Sequence, residues 1–165
     1  MEEFIYQFTP YAPAAILLAS ALDIFFVTGY LLYGFAMLGS VLMMYTTGMI
    51  SVEAILMSAF LGTTLGNTAN YWTGRLFRET AYVNKKLNHP RMQKARHSLQ
   101  HRGIIFYMTI GRFITFTRPL YALLLGSLGI KFRRFLAYEI PLALFWVSFW
   151  LFIILQGEAV VRNAL

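Results

Sequence analysis

The chain contains no cysteine, and only 13% of its 165 residues are charged. The absence of cysteine excludes disulfide bonds, thiol catalysis and zinc sites built on thiolates. An average soluble domain carries roughly 25% charged residues, whereas here 58% of the residues are hydrophobic. The surplus apolar surface needs lipid as its solvent. We therefore predict an all-α integral membrane protein.

Positive charge is absent from the chain before Arg75. Eight of the 14 Lys and Arg residues lie between residues 75 and 102, and three more lie at residues 131, 133 and 134. A net charge of +7 is compatible with nucleic-acid binding, but this clustering follows the positive-inside rule of membrane proteins. We predict a multi-pass protein of the inner (cytoplasmic) membrane that binds no nucleic acid and places both basic segments in the cytoplasm.

The segment between these two basic clusters, residues 104–130, must then enter and leave the membrane from the cytoplasm. Two legs of ~13 residues reach ~20 Å each, short of the ~30 Å hydrocarbon core. Pro119 removes a backbone donor and disfavours helix in the residue before it. The sequence therefore predicts a re-entrant helical hairpin that breaks at residues 115–118.

The first part of the chain has a related pattern. A turn at residues 48–51 separates the apolar stretch 11–48 from a crossing at residues 52–72. We predict Ser51 as the N-cap of that crossing and Glu53 as a first-turn acid favoured by the helix dipole. Residues 11–48 form either a helix plus a second hairpin or two full crossings. With a hairpin, the chain is an inverted repeat of re-entrant hairpin plus transmembrane helix, typical of transporters.

The predicted organisation is a single membrane domain in three parts. Its first half is residues 1–73, a basic cytoplasmic segment follows at residues 74–103, and the second half is residues 104–157. Apolar residues at helical spacing in the middle segment favour an amphipathic helix in the headgroup plane over a solvated loop. The membrane-surface basic residues of this helix are Arg91, Lys94, Arg96 and Arg102.

Two arginines, Arg112 and Arg118, lie inside the predicted second hairpin. An arginine at mid-bilayer costs at least ~2.5 kcal/mol on insertion scales, so something must compensate it. A break between the two lets both face one cavity, where a phosphate or carboxylate is the natural ligand of two guanidinium groups. The alternative is that each arginine snorkels to the surface or pairs with an internal acid.

Asp23 and Glu139 are the candidate acids for proton coupling or for pairing with an arginine. Asp23 interrupts a long apolar run and either pairs across the bundle or stays protonated; alternatively it is the N-cap of a helix that begins at Ile24. Glu139 follows Arg134 by five residues, which suggests an ion pair at the membrane interface. Pro141 follows Glu139 and opens the local backbone.

Several polar or small residues are candidates for the lining of a cavity. Glycines accompany them, and close helix packing explains those glycines equally well. The candidates are Asn67, Asn70, Tyr71, Gly111, Thr115 and Thr117. His97 and His101 share a helix face but lack a third ligand, so we predict no metal and no cofactor. No convincing nucleophile or general-base pair occurs, and we predict that the protein is not an enzyme.

Several segments together resemble the DedA family, whose shared core is called the VTT domain. They are residues 66–75, Gly111-Arg112-Phe113-Ile114 with Arg118 six residues after Arg112, residues 131–135, and Trp146. The resemblance covers residues 54–150. It implies two opposed re-entrant hairpins with packed transmembrane helices, and proton-coupled movement of undecaprenyl phosphate or phospholipid across the membrane. The family's essential arginines correspond to Arg112 and Arg118.

The chain departs from the family pattern in its first hairpin. Family members carry a Pro-Gly-acid element there, and the equivalent stretch is Leu38-Gly39-Ser40-Val41. Asp23 corresponds to the family's first hairpin acid. Glu139 stands where an asparagine is common and is a candidate replacement carboxylate. These differences affect expectations for proton coupling more than those for anion binding.

The predicted function is a lipid flippase or scramblase in which Arg112 and Arg118 hold a lipid phosphate, and Asp23 and Glu139 compete for the arginines. The predicted partners are membrane lipids, either anionic phospholipid or polyprenyl phosphate. One alternative is a proton-coupled transporter of a small ion or drug. Another is a non-transporting adaptor that binds anionic lipids or partners through its basic helix. The sequence leaves open whether the protein forms a homo-oligomer.

Overall fold

The computed structural model of the chain describes residues 9–25, 34–80, 85, 103–113 and 120–164. Within these ranges the fold is all-α, as predicted, and the described part contains no strand. After a short 3-10 turn at Thr9–Tyr11, the helices are α1 (Ala12–Ile24), α2 (Gly34–Thr46), α3 (Val52–Arg78), α4 (Ile104–Phe113), α5 (Leu120–Ser127) and α6 (Phe132–Ala164).

The start of α3 is determined by local sequence. Gly48 has φ 72°, a left-handed conformation that glycine adopts without strain, and it lies in the turn between α2 and α3. The Ser51 side chain accepts a hydrogen bond from the Ala54 backbone N–H at 3.3 Å, and Glu53 lies in the first turn of α3. The predicted N-cap and first-turn acid are therefore confirmed.

Helix α3 packs against α1 through two glycines. A Cβ on Gly62 would lie 2.3 Å from the Leu17 carbonyl oxygen, and one on Gly66 would lie 2.6 Å from the Ala21 carbonyl oxygen. Because both pairs advance by four residues in the same direction, α1 and α3 run parallel. For Gly62 and Gly66, two of the glycines that accompany the candidate cavity residues, the close-packing explanation is confirmed.

The second half of α3 packs against α5 with the opposite direction. A Cβ on Gly74 would lie 1.9 Å from the Leu123 carbonyl oxygen, and one on Gly126 would lie 2.0 Å from the Tyr71 carbonyl oxygen. Each helix thus has one glycine that contacts the backbone of the other helix. Helices α3 and α5 are therefore antiparallel and in direct backbone contact.

Two apolar clusters mark the two ends of the bundle. One joins the starts of α1 and α3 to the later part of α6, through Ala12, Ile55 and Ile154 among others. The other joins the second half of α3 to the starts of α4 and α6, through Tyr71, Ile104 and Phe135 among others. Helix α1 therefore enters from the end where α3 begins, and α4 enters from the end where α3 finishes.

The helices differ in whether they can cross a membrane. Among the described residues, the segment Phe132–Gln156 of α6 meets the length and hydropathy requirements, with 25 residues that include an 18-residue stretch of mean hydropathy 1.9. Helices α1 and α2 have 13 residues each, and α4 and α5 have 10 and 8. At 1.5 Å per residue, 13 residues reach ~20 Å. The predicted break at residues 115–118 lies outside the described residues, and re-entrance and the inverted repeat stay predictions.

The structure corrects the N-cap interpretation of Asp23. Helix α1 runs from Ala12 to Ile24, so Asp23 lies in its last turn. Pro13 occupies the first turn, where its fixed φ suits a helix and its missing N–H is not needed. The helix therefore begins upstream and continues through Asp23, whose side chain is buried.

Candidate functional site

The candidate site is built around Arg112, in the last turn of α4. Arg112 is only 3% exposed and forms a buried ion pair with Glu139 of α6, which is completely buried. The Arg112 Nη1 group also donates to the Leu142 carbonyl oxygen at 3.4 Å. Its guanidinium carbon lies 5.6 Å from the centroid of the Tyr121 ring. One acid, one carbonyl and one aromatic ring therefore offset the free-energy cost of burying this arginine in an apolar bundle.

The Glu139 carboxylate is held by two further donors. The Asn67 Nδ2 group of α3 donates to Oε1 at 2.8 Å, and the Tyr121 hydroxyl of α5 donates to Oε2 at 2.9 Å. With Arg112, the carboxylate joins helices α3, α4, α5 and α6. Both of its oxygens therefore keep a protein donor even if the guanidinium leaves.

The predicted interfacial pairing of Glu139 with Arg134 is wrong. Arg134 is exposed, whereas Glu139 is buried in the middle of the bundle. Residues five apart on a helix are separated by about 140° around the axis, so the two side chains leave α6 on different faces. The interpretation of Glu139 as an internal partner of a membrane arginine is the one the structure supports.

Two buried polar atoms of the site lack a hydrogen-bond partner among the described residues. They are Arg112 Nε and Asn67 Oδ1. A buried unsatisfied polar group costs about 1–3 kcal/mol, so such atoms are unusual in a well-packed core. Arg112 thus retains donor capacity that Glu139 and Leu142 do not use.

The other described polar candidates, Asn70 and Tyr71, lie beside this cluster and form hydrogen bonds that join helices. The Asn70 Nδ2 group donates to the Ile24 carbonyl oxygen at 2.7 Å, at the end of α1. The Tyr71 hydroxyl donates to the Ile130 carbonyl oxygen at 2.5 Å, before α6 begins. Asn67 and Asn70 together therefore bring the end of α1 close to the Arg112 cluster.

Gly111 allows α4 and α5 to approach each other, because a Cβ there would lie 2.9 Å from the Tyr121 Cβ. This close approach places the Tyr121 hydroxyl within hydrogen-bonding distance of Glu139. Asp23 is 7% exposed and directly precedes Ile24, to whose carbonyl oxygen Asn70 donates. The predicted cavity role of Gly111, Asn67, Asn70 and Tyr71 stays a prediction.

The remaining predicted site residues lie outside the described residues. They are Arg118, Thr115, Thr117, Arg91, Lys94, Arg96 and Arg102.

Sequence reasoning missed Tyr121. Its position two residues after Pro119, at the start of a helix beside the predicted break, was the available signal.

Removing the Tyr121 hydroxyl tests whether the cluster is held as described. We expect Tyr121→Phe to lower the free energy of unfolding by about 1–3 kcal/mol, because the buried Glu139 Oε2 atom loses its donor. Thermal unfolding of the detergent-solubilised protein measures this loss. Tyr11→Phe, at a side chain 67% exposed, is the matched control and should leave the melting temperature unchanged. Equal melting temperatures for both variants would show that the hydroxyl contributes no stability.

Within the described residues the protein is an all-helical bundle that exposes large apolar side chains and buries an ion pair, and these features are compatible with a membrane protein. A family model for the VTT domain matches residues 9–156, and the chain belongs to the VTT domain family, the DedA family that its motifs resemble.

Two curated relatives are membrane proteins. The chain is 27% identical over 163 residues to the inner membrane protein YabI of Escherichia coli, covering 97% of this chain and 64% of the relative. It is 28% identical over 110 residues to the uncharacterized membrane protein slr0232 of Synechocystis, covering 62% of this chain and 48% of the relative. The chain therefore spans less than two thirds of the length of these relatives. No solved structure gives a significant match.

Proposed function

We propose that this protein moves a phosphate-bearing lipid across the inner membrane, as a flippase or scramblase, with Arg112 and Arg118 binding the lipid phosphate. The observation that carries the proposal is the buried ion pair between Arg112 and Glu139 in a VTT domain membrane protein. Apolar replacements of buried ion pairs are often neutral or stabilising, so the presence of a guanidinium in an apolar bundle supports a role beyond stability.

The ion pair supports an exchange mechanism. A phosphate offers Arg112 the same bidentate geometry as a carboxylate, and Arg112 Nε still lacks a partner among the described residues. When phosphate takes the guanidinium, Glu139 keeps the Asn67 and Tyr121 donors. Protonation of Glu139 would favour this exchange and couple lipid movement to the proton gradient, with Asp23 as a second acid in the same region.

The helix arrangement supports alternating access. The short helix α1 enters from the end where α3 begins, and α4 enters from the other end. Both end near Asn67 and Asn70, in the middle of α3. With α2 and α5 as returning legs, two opposed re-entrant hairpins would close a phosphate site from opposite sides, as in transporters built from inverted repeats.

The test is movement of headgroup-labelled lipid in proteoliposomes, read with a bilayer-impermeant quencher. Arg112→Lys keeps the positive charge beside Glu139 but loses the planar fork that binds phosphate. With this variant and with Arg118→Ala, we expect the quencher to reach only the labelled lipid of the outer leaflet. With the wild-type protein, labelled lipid from both leaflets should become accessible to the quencher. Phospholipid and polyprenyl phosphate are assayed separately.

Arg133→Lys, at an exposed position, is the matched control and should retain wild-type movement. Wild-type rates in Arg112→Lys and Arg118→Ala would contradict the mechanism. If quenching is limited to the outer leaflet in every sample, including wild type, the protein does not move lipid. The remaining candidate functions are then a small-solute transporter or an adaptor.

A further inference from the structure

One end of the bundle carries a concentration of basic side chains that the proposed transport mechanism does not use. The end of α3 and the start of α6 supply five of them, four exposed and one partly exposed. We call this set the basic rim, and it consists of Arg75, Arg78, Lys131, Arg133 and Arg134. The segments 74–80 and 128–138, which contain the basic rim, include one acidic residue, Glu79.

Packing between α3 and α6 brings these residues to the same end. The Tyr71 hydroxyl donates to the Ile130 carbonyl oxygen, and the Tyr71 ring stacks on Phe135 with centroids 4.8 Å apart. The ring of Trp72 lies 5.6 Å from that of Phe132. The last turns of α3 therefore lie against the first turn of α6, and charges distant in sequence form one surface.

Trp72 gives this surface a second, independent feature. Its side chain is 45% exposed, and the Arg75 guanidinium carbon lies 5.6 Å from the centroid of its ring. Arg75 also donates to the Tyr71 hydroxyl at 3.3 Å. A cation held over an exposed indole is stabilised by the ring's negative face, and exposed tryptophans of membrane proteins are enriched at the headgroup level.

We propose that the basic rim is a binding surface for the headgroups of anionic phospholipids in the leaflet at this end of the bundle. The clustered Lys and Arg place that leaflet on the cytoplasmic side, where anionic lipids attract basic residues by about 1 kcal/mol per charge. Trp72 lies at the boundary between headgroups and acyl chains. This surface is separate from the Arg112 cluster, and its occupancy does not depend on whether the protein moves lipid.

The test uses Trp72 as the reporter. In Trp146→Phe/Trp150→Phe protein, Trp72 is the one remaining tryptophan of the chain. The protein is reconstituted in neutral phosphatidylcholine vesicles that contain a minor fraction of brominated lipid, either phosphatidylglycerol or phosphatidylcholine. We expect stronger quenching by the brominated anionic lipid. Arg133→Gln/Arg134→Gln should reduce that preference, by up to about fivefold per charge removed.

Arg133→Lys/Arg134→Lys preserves the charge and should keep the preference, which high salt should weaken. Equal quenching by the two lipids in the Trp72 reporter protein would overturn the proposal, as would an unchanged preference in the glutamine variant. Native mass spectrometry of proteins with all three tryptophans provides a second measurement that does not rely on the reporter substitutions. It should show more phosphatidylglycerol retained by wild type than by the glutamine variant, and equal retention would also overturn the proposal.

Discussion

Glu139→Ala is expected to destabilise the protein by about 3–5 kcal/mol, because it leaves the Arg112 guanidinium buried without its counter-charge. Arg112 is only 3% exposed, so water cannot replace the lost carboxylate at its present position. The carboxylate also accepts from Asn67 and Tyr121, so the substitution leaves two further donors without their acceptor. Equilibrium unfolding in detergent, followed by tryptophan fluorescence, measures the loss.

A matched control and a double variant separate the lost charge pair from a general packing defect. Glu53→Ala removes an exposed first-turn acid from α3 and should cost at most about 1 kcal/mol. Arg112→Met/Glu139→Met removes both charges with similar side-chain volume, and we expect it to recover most of the stability lost in Glu139→Ala. A double variant less stable than Glu139→Ala would show that the ion pair is not the source of the loss.

Gly126→Ala should destabilise the bundle by about 3 kcal/mol, at the upper end of overpacking effects. The added Cβ would lie 2.0 Å from the Tyr71 carbonyl oxygen, and backbone cannot move aside as a flexible side chain can. Gly74→Ala should cost a similar amount, since its Cβ would lie 1.9 Å from the Leu123 carbonyl oxygen. Thermal unfolding of the detergent-solubilised variants measures both effects.

Gly39→Ala provides the control for these glycines. It lies in α2, and none of the described residues places a heavy atom within 4 Å of an added Cβ, so we expect a gain of about 0.5–1 kcal/mol from the lower entropy of the unfolded chain. The double variant Gly74→Ala/Gly126→Ala should lose less than the sum of the single losses, because one separation of α3 from α5 relieves both clashes. Single variants as stable as wild type would contradict the direct backbone contact.

Features that depend on neighbouring residues in the chain could be predicted from the sequence. Ser51 and Glu53 were identified as N-cap and first-turn residues because capping needs a side chain only three positions from its backbone partner. Close helix packing was one of two equal explanations for the glycines of α3, because small residues at helical spacing form such contacts. Arg112 was identified as a buried cation that requires a partner, since charge in an apolar segment is costly wherever it lies.

The sequence reduces that partner to two candidates, Asp23 and Glu139, but does not choose between them. Glu139 is 27 residues from Arg112 on another helix, and a nearer arginine, Arg134, was available on its own helix. Which one pairs depends on how α4 and α6 are rotated against each other, and local patterns do not carry that information. The position of Tyr121 beside the predicted break indicates that it lies near the site, but only the packing of α5 against α6 shows that its hydroxyl meets the Glu139 carboxylate.

The position of Asp23 in its helix also could not be decided from the apolar residues around it. An acid between two apolar runs looks the same whether a helix begins after it or continues through it. Pro13 was the local signal that separates the two, because proline in the first turn fits a helix that starts at Ala12, twelve residues earlier than the N-cap interpretation required.

Helix α6 has a structural weakness next to its buried charge. Pro141 lies inside α6, two residues after Glu139, and its missing N–H leaves the Ala137 carbonyl without the usual helical donor. A helix bends most easily where such a bond is missing. The Arg112 side chain contacts α6 on both sides of this point, at Glu139 and at the Leu142 carbonyl oxygen. Arg112 therefore contacts α6 on both sides of the missing hydrogen bond, and in the proposed mechanism a ligand that draws the guanidinium away would allow α6 to bend there.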